Sequence, residues 1–116
     1  MQDALPLPYH PQDFAAQVYA VVAAIPAGRV LSYGEIARLL GHPSRSRMVG
    51  RALKHAPEGL PCHRVVNSRG RTAPGWEGQR VLLAGEGVRF LPDGRVDRAA
   101  FGWRYAADET SAEENV

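Results

Sequence analysis

The residues with the most chemistry per position lie in the run Pro61-Cys62-His63-Arg64, around the chain's single cysteine. A thiolate is a nucleophile that needs no cofactor, and cationic neighbours such as His63 and Arg64 are expected to lower the thiol's pKa. Adjacent residues on a regular strand point to opposite faces, so Cys62 and His63 can cooperate only at an irregular turn or through a bridging water. Glu86 is a candidate to orient the imidazole. A lone cysteine is more often a small buried hydrophobe, and that plainer reading stands beside the Cys62/His63/Glu86 one. A second group precedes the cysteine. Arg47, Arg51 and Lys54 recur at i, i+4 and i+7 with Arg45 beside them, and no acid occurs between Pro43 and Pro57. A face with only positive charge suits a polyanion, although any surface helix needs a polar face.

The elements that must position these residues follow from periodicity and punctuation. From Gln12 to Ile25 the apolar residues Phe14, Val18, Val21, Val22 and Ile25 fall at helical spacing, and Pro26-Ala27-Gly28 ends that helix. Ser32-Tyr33-Gly34-Glu35 reads as a capping box. The helix it opens buries Ile36, Leu39 and Leu40 and stops at Gly41. Ser44 is expected to cap a third helix running to about His55, with Met48, Val49, Ala52 and Leu53 as its apolar stripe. Two short helices joined by a tight turn, the second amphipathic and basic, fit a helix-turn-helix that reads DNA with its second helix. Gly50 on that helix permits close helix packing or close approach of DNA. Arg71 to Gly78 reads as a loop and Gln79 to Ala84 as a short helix. Val88 to Leu91 and Arg95 to Asp97 form a hairpin about Pro92-Asp93-Gly94. Phe101 and Trp103 are expected to pack back on the core. The expected fold is therefore mainly α, a small single domain with a winged-helix-like helix-turn-helix and a short C-terminal β-hairpin.

Composition bounds the function. At 116 residues with 45% hydrophobic content, the chain suits one domain with a modest core. One cysteine excludes an internal disulfide framework, and no Cys/His cluster has zinc-site spacing. The longest apolar run, Val18 to Ile25, is far short of the roughly 18–20 residues that span a bilayer, and no basic n-region opens the chain. A soluble cytoplasmic protein, acting at the bacterial nucleoid, is expected. The net charge of +2 hides an asymmetry: residues 107–116 hold four acids and no base, while the remainder has 14 bases against eight acids. Residues 1–106 are read as the domain and 107–116 as an acidic, disordered tail. Thirteen of the bases are arginine, which fits phosphate recognition and equally a high-GC genome.

The segment PCHRVVNSRG resembles the active-site motif of the O6-alkylguanine-DNA alkyltransferases. The resemblance runs from about Phe14 to Gly87 and takes in AIPAGRVLSYGEIARLLG, the helix around Arg47-Met48-Val49-Gly50, and LLAGEG. It implies that Cys62 accepts the alkyl group, that His63 is the water-mediated base, and that Glu86 orients the histidine. It further implies that Arg47 fills the stack after the guanine leaves and that Tyr33 helps rotate the nucleotide by crowding its phosphate. The recognition helix would enter the minor groove. The partner implied is double-stranded DNA containing O6-alkylguanine, met by a monomer with no cofactor, metal or membrane. DNA contacts are expected from Tyr33, Ser44, Arg45, Arg47, Arg51, Lys54 and Arg64, and a lesion pocket from Tyr33, Pro61, Cys62, Val65 and Trp76.

The chain also departs from the enzymes. Only about a dozen residues precede the first helix, where the enzymes have an N-terminal domain. Ala56-Pro57 replaces an Asn-Pro whose side chain braces the turn before the active site, and the loop at Glu58-Gly59-Leu60 is shorter. The glycine-rich lip of the pocket is replaced by the run from Arg71 to Gly78, in which Trp76 reads either as a new pocket wall or as a core residue. These features, with the ending GRVDRAAFGWRY, look like the alkyltransferase-like proteins, which bind the lesion without transfer and pass it to nucleotide excision repair. Those proteins lack the cysteine, whereas this chain keeps it. Three readings result: a single-turnover transferase, a lesion sensor that recruits excision-repair proteins, and a plain helix-turn-helix transcription factor. The last leaves PCHRV and LLAGEG unexplained.

Overall fold

The computed structural model describes residues 11–104. The N-terminal lead-in and the acidic tail named above lie outside these residues, apart from Pro11, which opens the first helix. Helix α1 (Pro11–Ala24) carries Phe14, Val18 and Val22 on one buried stripe, with Ile25 just beyond its end. The chain then turns at Gly28 and enters strand β1 (Leu31–Ser32). Ser32 caps α2 (Tyr33–Leu39): its hydroxyl accepts the Glu35 amide at 3.1 Å while the Glu35 carboxylate accepts the Ser32 amide at 2.8 Å. The capping box is thus closed at both ends, and Ile36 and Ala37 become the fully buried pair of this helix.

Helix α3 (Ser46–Lys54) packs against α2 and α1. It starts two residues later than Ser44 predicts. Arg45 occupies the cap position without a side-chain capping bond, and Ser44 is an exposed residue of the preceding turn. The cause is backbone geometry: the Arg45 amide closes that turn on the His42 carbonyl, and Arg45 O then accepts the Met48 and Val49 amides. The Tyr19 hydroxyl of α1 donates to the Ala52 carbonyl at 2.7 Å and ties the last turn of α3 to the core.

After α3 a 3-10 turn (Cys62–Arg64) leads into strand β2 (Val65–Val66). The two strands pair in parallel, Leu31 with Val65 and Ser32 with Val66, and all four residues are buried. This pairing carries no periodicity that a sequence reading can detect, because each strand is two residues long. Helix α4 (Glu77–Gly85) is longer at both ends than its apolar pattern indicates, and α5 (Arg98–Phe101) is a single turn capped by the Asp97 side chain. The expected hairpin is present as one antiparallel bridge, Phe90 with Val96, closed by the Leu91 amide on Arg95 O. Val30 bridges Gly102 in parallel, which places Phe101 and Trp103 on the core as expected. The larger core cluster joins α1, α2, α3 and Val65, and the smaller joins Val30, Val66, Leu83, Val88 and Val96. Strand β2 contributes to both, Val65 to the larger and Val66 to the smaller, so the 3-10 turn that carries Cys62 leads directly into the central pairing.

Candidate functional site

The turn from Cys62 to Arg64 is the irregular geometry that cooperation of Cys62 and His63 requires. Its first residue amide bonds back to the Leu60 carbonyl at 2.8 Å, and the Arg64 amide to Pro61 O at 3.0 Å. His63 Nε2 lies 2.8 Å from Glu86 Oε2, with both side chains largely buried. A carboxylate only accepts hydrogen bonds, so Nε2 carries the proton and Nδ1 is left as the basic nitrogen. Glu86 stands at the C-terminal cap of α4, where the helix dipole disfavours an anion. Three other groups offset this. Arg64 grips the carboxylate with Nε at 3.0 Å and Nη2 at 2.6 Å, His63 adds its bond, and the Gly28 amide donates at 3.2 Å. Arg64 above all, then His63 and the Gly28 amide, hold Glu86 down to about 2 against an ordinary 4.5, while burial works in the opposite direction.

Arg64 therefore has a different place from the one expected of it. Its guanidinium faces inward, with Nη1 on the Ile25 carbonyl at 2.7 Å and the remainder on Glu86. The same commitment corrects the expectation for the thiol. Burial pushes Cys62 above its ordinary value, only partly opposed by a backbone hydrogen bond. The positive charge expected to lower it is already neutralised by Glu86.

Tyr33 links this site to the recognition helix. A β-carbon added at Gly50 would meet the Tyr33 ring at 3.9 Å, an ordinary van der Waals contact, so the ring lies over Gly50 of α3. The phenol is raised by burial first and by Cys62 second. Arg47, Arg51 and Lys54 are all exposed on α3. Tyr33, Cys62, His63 and Glu86 thus come together beside an acid-free basic helix. Pro61 is half-buried at the start of the turn. Two further residues expected in the pocket differ in exposure. Val65 is 1% exposed and belongs to the larger core cluster. Trp76, at 39% exposure, is no core residue. It lines a shallow depression with residues of the 72–77 loop, Arg80 and Val81.

Sequence reasoning missed Gln79. It is completely buried, and its carboxamide accepts the Ala73 amide at 2.6 Å while donating to the carbonyls of His63 at 3.1 Å and Val65 at 2.8 Å. The available signal was its helical spacing, since Gln79 and Leu83 at i and i+4 form the buried stripe of α4.

A basic helix-turn-helix with a half-buried cysteine at its flank, backed by an imidazole–carboxylate pair, defines a DNA-binding-type domain built around a thiol. The model of the 6-O-methylguanine DNA methyltransferase DNA-binding domain matches residues 13–88, and the chain belongs to that family. A DNA base-flipping protein of Escherichia coli is 44% identical over 98 residues, covering 80% of this chain and 76% of its own. Alkyltransferase-like protein 1 of Schizosaccharomyces pombe is 47% identical over 85 residues, covering 67% of this chain and 79% of its own. The crystal structure of S. pombe Atl1 in complex with damaged DNA containing O6-carboxymethylguanine superposes with a TM-score of 0.74 at 36% identity, over 83% of this chain and 99% of that one. The Mycobacterium tuberculosis OGT–DNA complex gives 0.59 at 38% identity, over 72% of this chain and 52% of that one. The match spans about half the length of that relative.

Proposed function

We propose that the protein binds duplex DNA containing O6-alkylguanine with α3 in the minor groove, turns the damaged base out of the stack, and takes its alkyl group onto Cys62. The observation that carries this reading is the Tyr33 ring lying over Gly50 of the basic helix, with His63, the residue next to Cys62, hydrogen-bonded to Glu86. A base inside a duplex cannot present its O6 substituent to a protein sulfur, and extruding it costs a few kcal/mol. Arg47 in the first turn of α3 offsets part of that cost by occupying the gap. The relatives support the DNA side of the reading, since one is named for base flipping and another is solved on O6-carboxymethylguanine DNA.

The chemistry follows from the site. The thiol proton passes, through water, toward His63 Nδ1. The sulfur electron pair forms a bond to the sp3 alkyl carbon, the C–O6 bond breaks, and the released guanine takes up the proton. A thioether is not hydrolysed, so each molecule acts once, as a monomer and without a cofactor. One observation favours a second reading, a sensor that holds the lesion for excision-repair proteins: burial raises the thiol pKa, and Arg64 is committed to Glu86.

Intact-protein mass after incubation with a duplex carrying one O6-methylguanine separates the two, with Cys62→Ala alongside. The expected result is a gain of one methyl group in place of one hydrogen, absent from the variant. An unchanged mass with lesion-selective binding establishes the sensor, and an unchanged mass without lesion preference overturns both.

A further inference from the structure

Helix α4 holds His63 at two points. Glu86 takes the imidazole at Nε2, and Gln79, two helical turns earlier, takes the His63 backbone carbonyl. Residues seven apart lie on one face of a helix, so a single rigid element fixes both the ring and the main chain of the residue next to the cysteine. The third bond of Gln79 leads out of the site. Its Oε1 accepts the amide of Ala73, in the loop that carries Trp76. The amide orientation is set by its partners: reversing it would point the oxygen at two carbonyls and the NH2 group at an N–H. With no exposure to water, all three bonds are costly to break.

We propose that Gln79 is a positioning residue that couples the loop at Ala73 to the turn carrying Cys62, so that the position of the loop sets where the sulfur lies. This rests on the reading that Cys62 faces the lesion. The coupling has a simple physical basis: the carboxamide is the shared hydrogen-bond partner of both segments, and a shift in one must either carry the other or break a buried bond.

Gln79→Met keeps the length and volume of the side chain and removes all three hydrogen bonds. Three quantities are compared with the native protein: affinity for an undamaged duplex, affinity for the O6-methylguanine duplex, and the pH profile of Cys62 modification by iodoacetamide, read by mass. Undamaged-duplex affinity should stay within about twofold, because α3 is untouched. Lesion preference should fall about tenfold, the loss of a buried hydrogen bond's worth of fixing. The pH profile should move by about half a unit or more. A lower unfolding midpoint with both preference and profile unchanged makes Gln79 a core residue only and overturns the proposal. If the native protein itself shows no lesion preference, the reading of Cys62 fails, and the iodoacetamide profile still decides the role of Gln79. If the variant does not fold, hydrogen exchange of the native protein decides: the Ala73 amide should exchange at least about tenfold more slowly than that of Gly75. Equal rates overturn the coupling.

Discussion

The Glu86 carboxylate is held by His63, Arg64 and the Gly28 amide together. Its position at a helix C-terminus indicated a specific partner, and His63 is there at 2.8 Å. Arg64 is the stronger partner, and that was not readable, because a charged residue next to an active-site histidine looks equally suited to DNA. The ion pair has a pH signature. The folded-state value of Glu86 is depressed to about 2 from 4.5, so its contribution to stability is present in full above the unfolded value and is lost as the pH falls between the two. Glu86→Gln should therefore lower the urea midpoint at neutral pH, and the gap from the native protein should close between pH 4.5 and about 2. Urea titrations of both proteins across that range check this, and a gap that persists undiminished at the acid end contradicts it. The sign of the Cys62 shift was equally beyond the sequence. Neighbours in the chain predicted a lowered thiol, but burial and the neutralisation of Arg64 by Glu86 decide the opposite.

Local signals specified some elements well. The Ser32–Glu35 capping box needs only residues three apart, and both of its bonds form. Ser44 carried a similar signal and failed, because the His42–Arg45 turn places the first helical residue at Ser46. Gly70 illustrates an element-scale constraint from the opposite direction. It lies at φ +88°, and a β-carbon there would stand 2.7 Å from the Val96 carbonyl oxygen. The carbonyl cannot move away, since Gly70 O accepts the Val96 amide at 2.8 Å and clamps the two segments together. Gly70→Ala should cost more than about 2 kcal/mol, from left-handed strain plus the clash. Gly75→Ala, with a φ of +81° and nothing within 4 Å, should cost only the strain, about 1–2 kcal/mol. Chemical denaturation of the two variants checks the difference, and equal losses would remove the clash as a cause.

Across the whole molecule, charge is divided between two uses. Arg64 and Arg98 are spent internally, Arg98 on Glu35 at 3.1 Å, while Arg47, Arg51 and Lys54 stand exposed together on α3. Three phosphate contacts give a slope of log affinity against log salt of about −3. Lys54→Ala should reduce that slope by about one on damaged and undamaged duplexes alike. Arg47→Ala should in addition reduce the preference for the lesion, because only a flipped base leaves a gap to fill. Anisotropy titrations at several salt concentrations check both, and equal losses on the two duplexes for Arg47→Ala would remove its role in the stack. What the sequence determined by itself was whatever depends on neighbours along the chain: the capped α2, the basic face of α3, the apolar stripe of α1 and the Cys62-His63 motif. Only the tertiary structure decided which groups from distant positions meet. The parallel pairing of β1 with β2, the Arg64–Glu86 ion pair and the three bonds of Gln79 join residues that are far apart in sequence or across a loop. Short-range periodicity carries no information about such partners. They are selected by burial, where an unpaired polar group is too costly to keep.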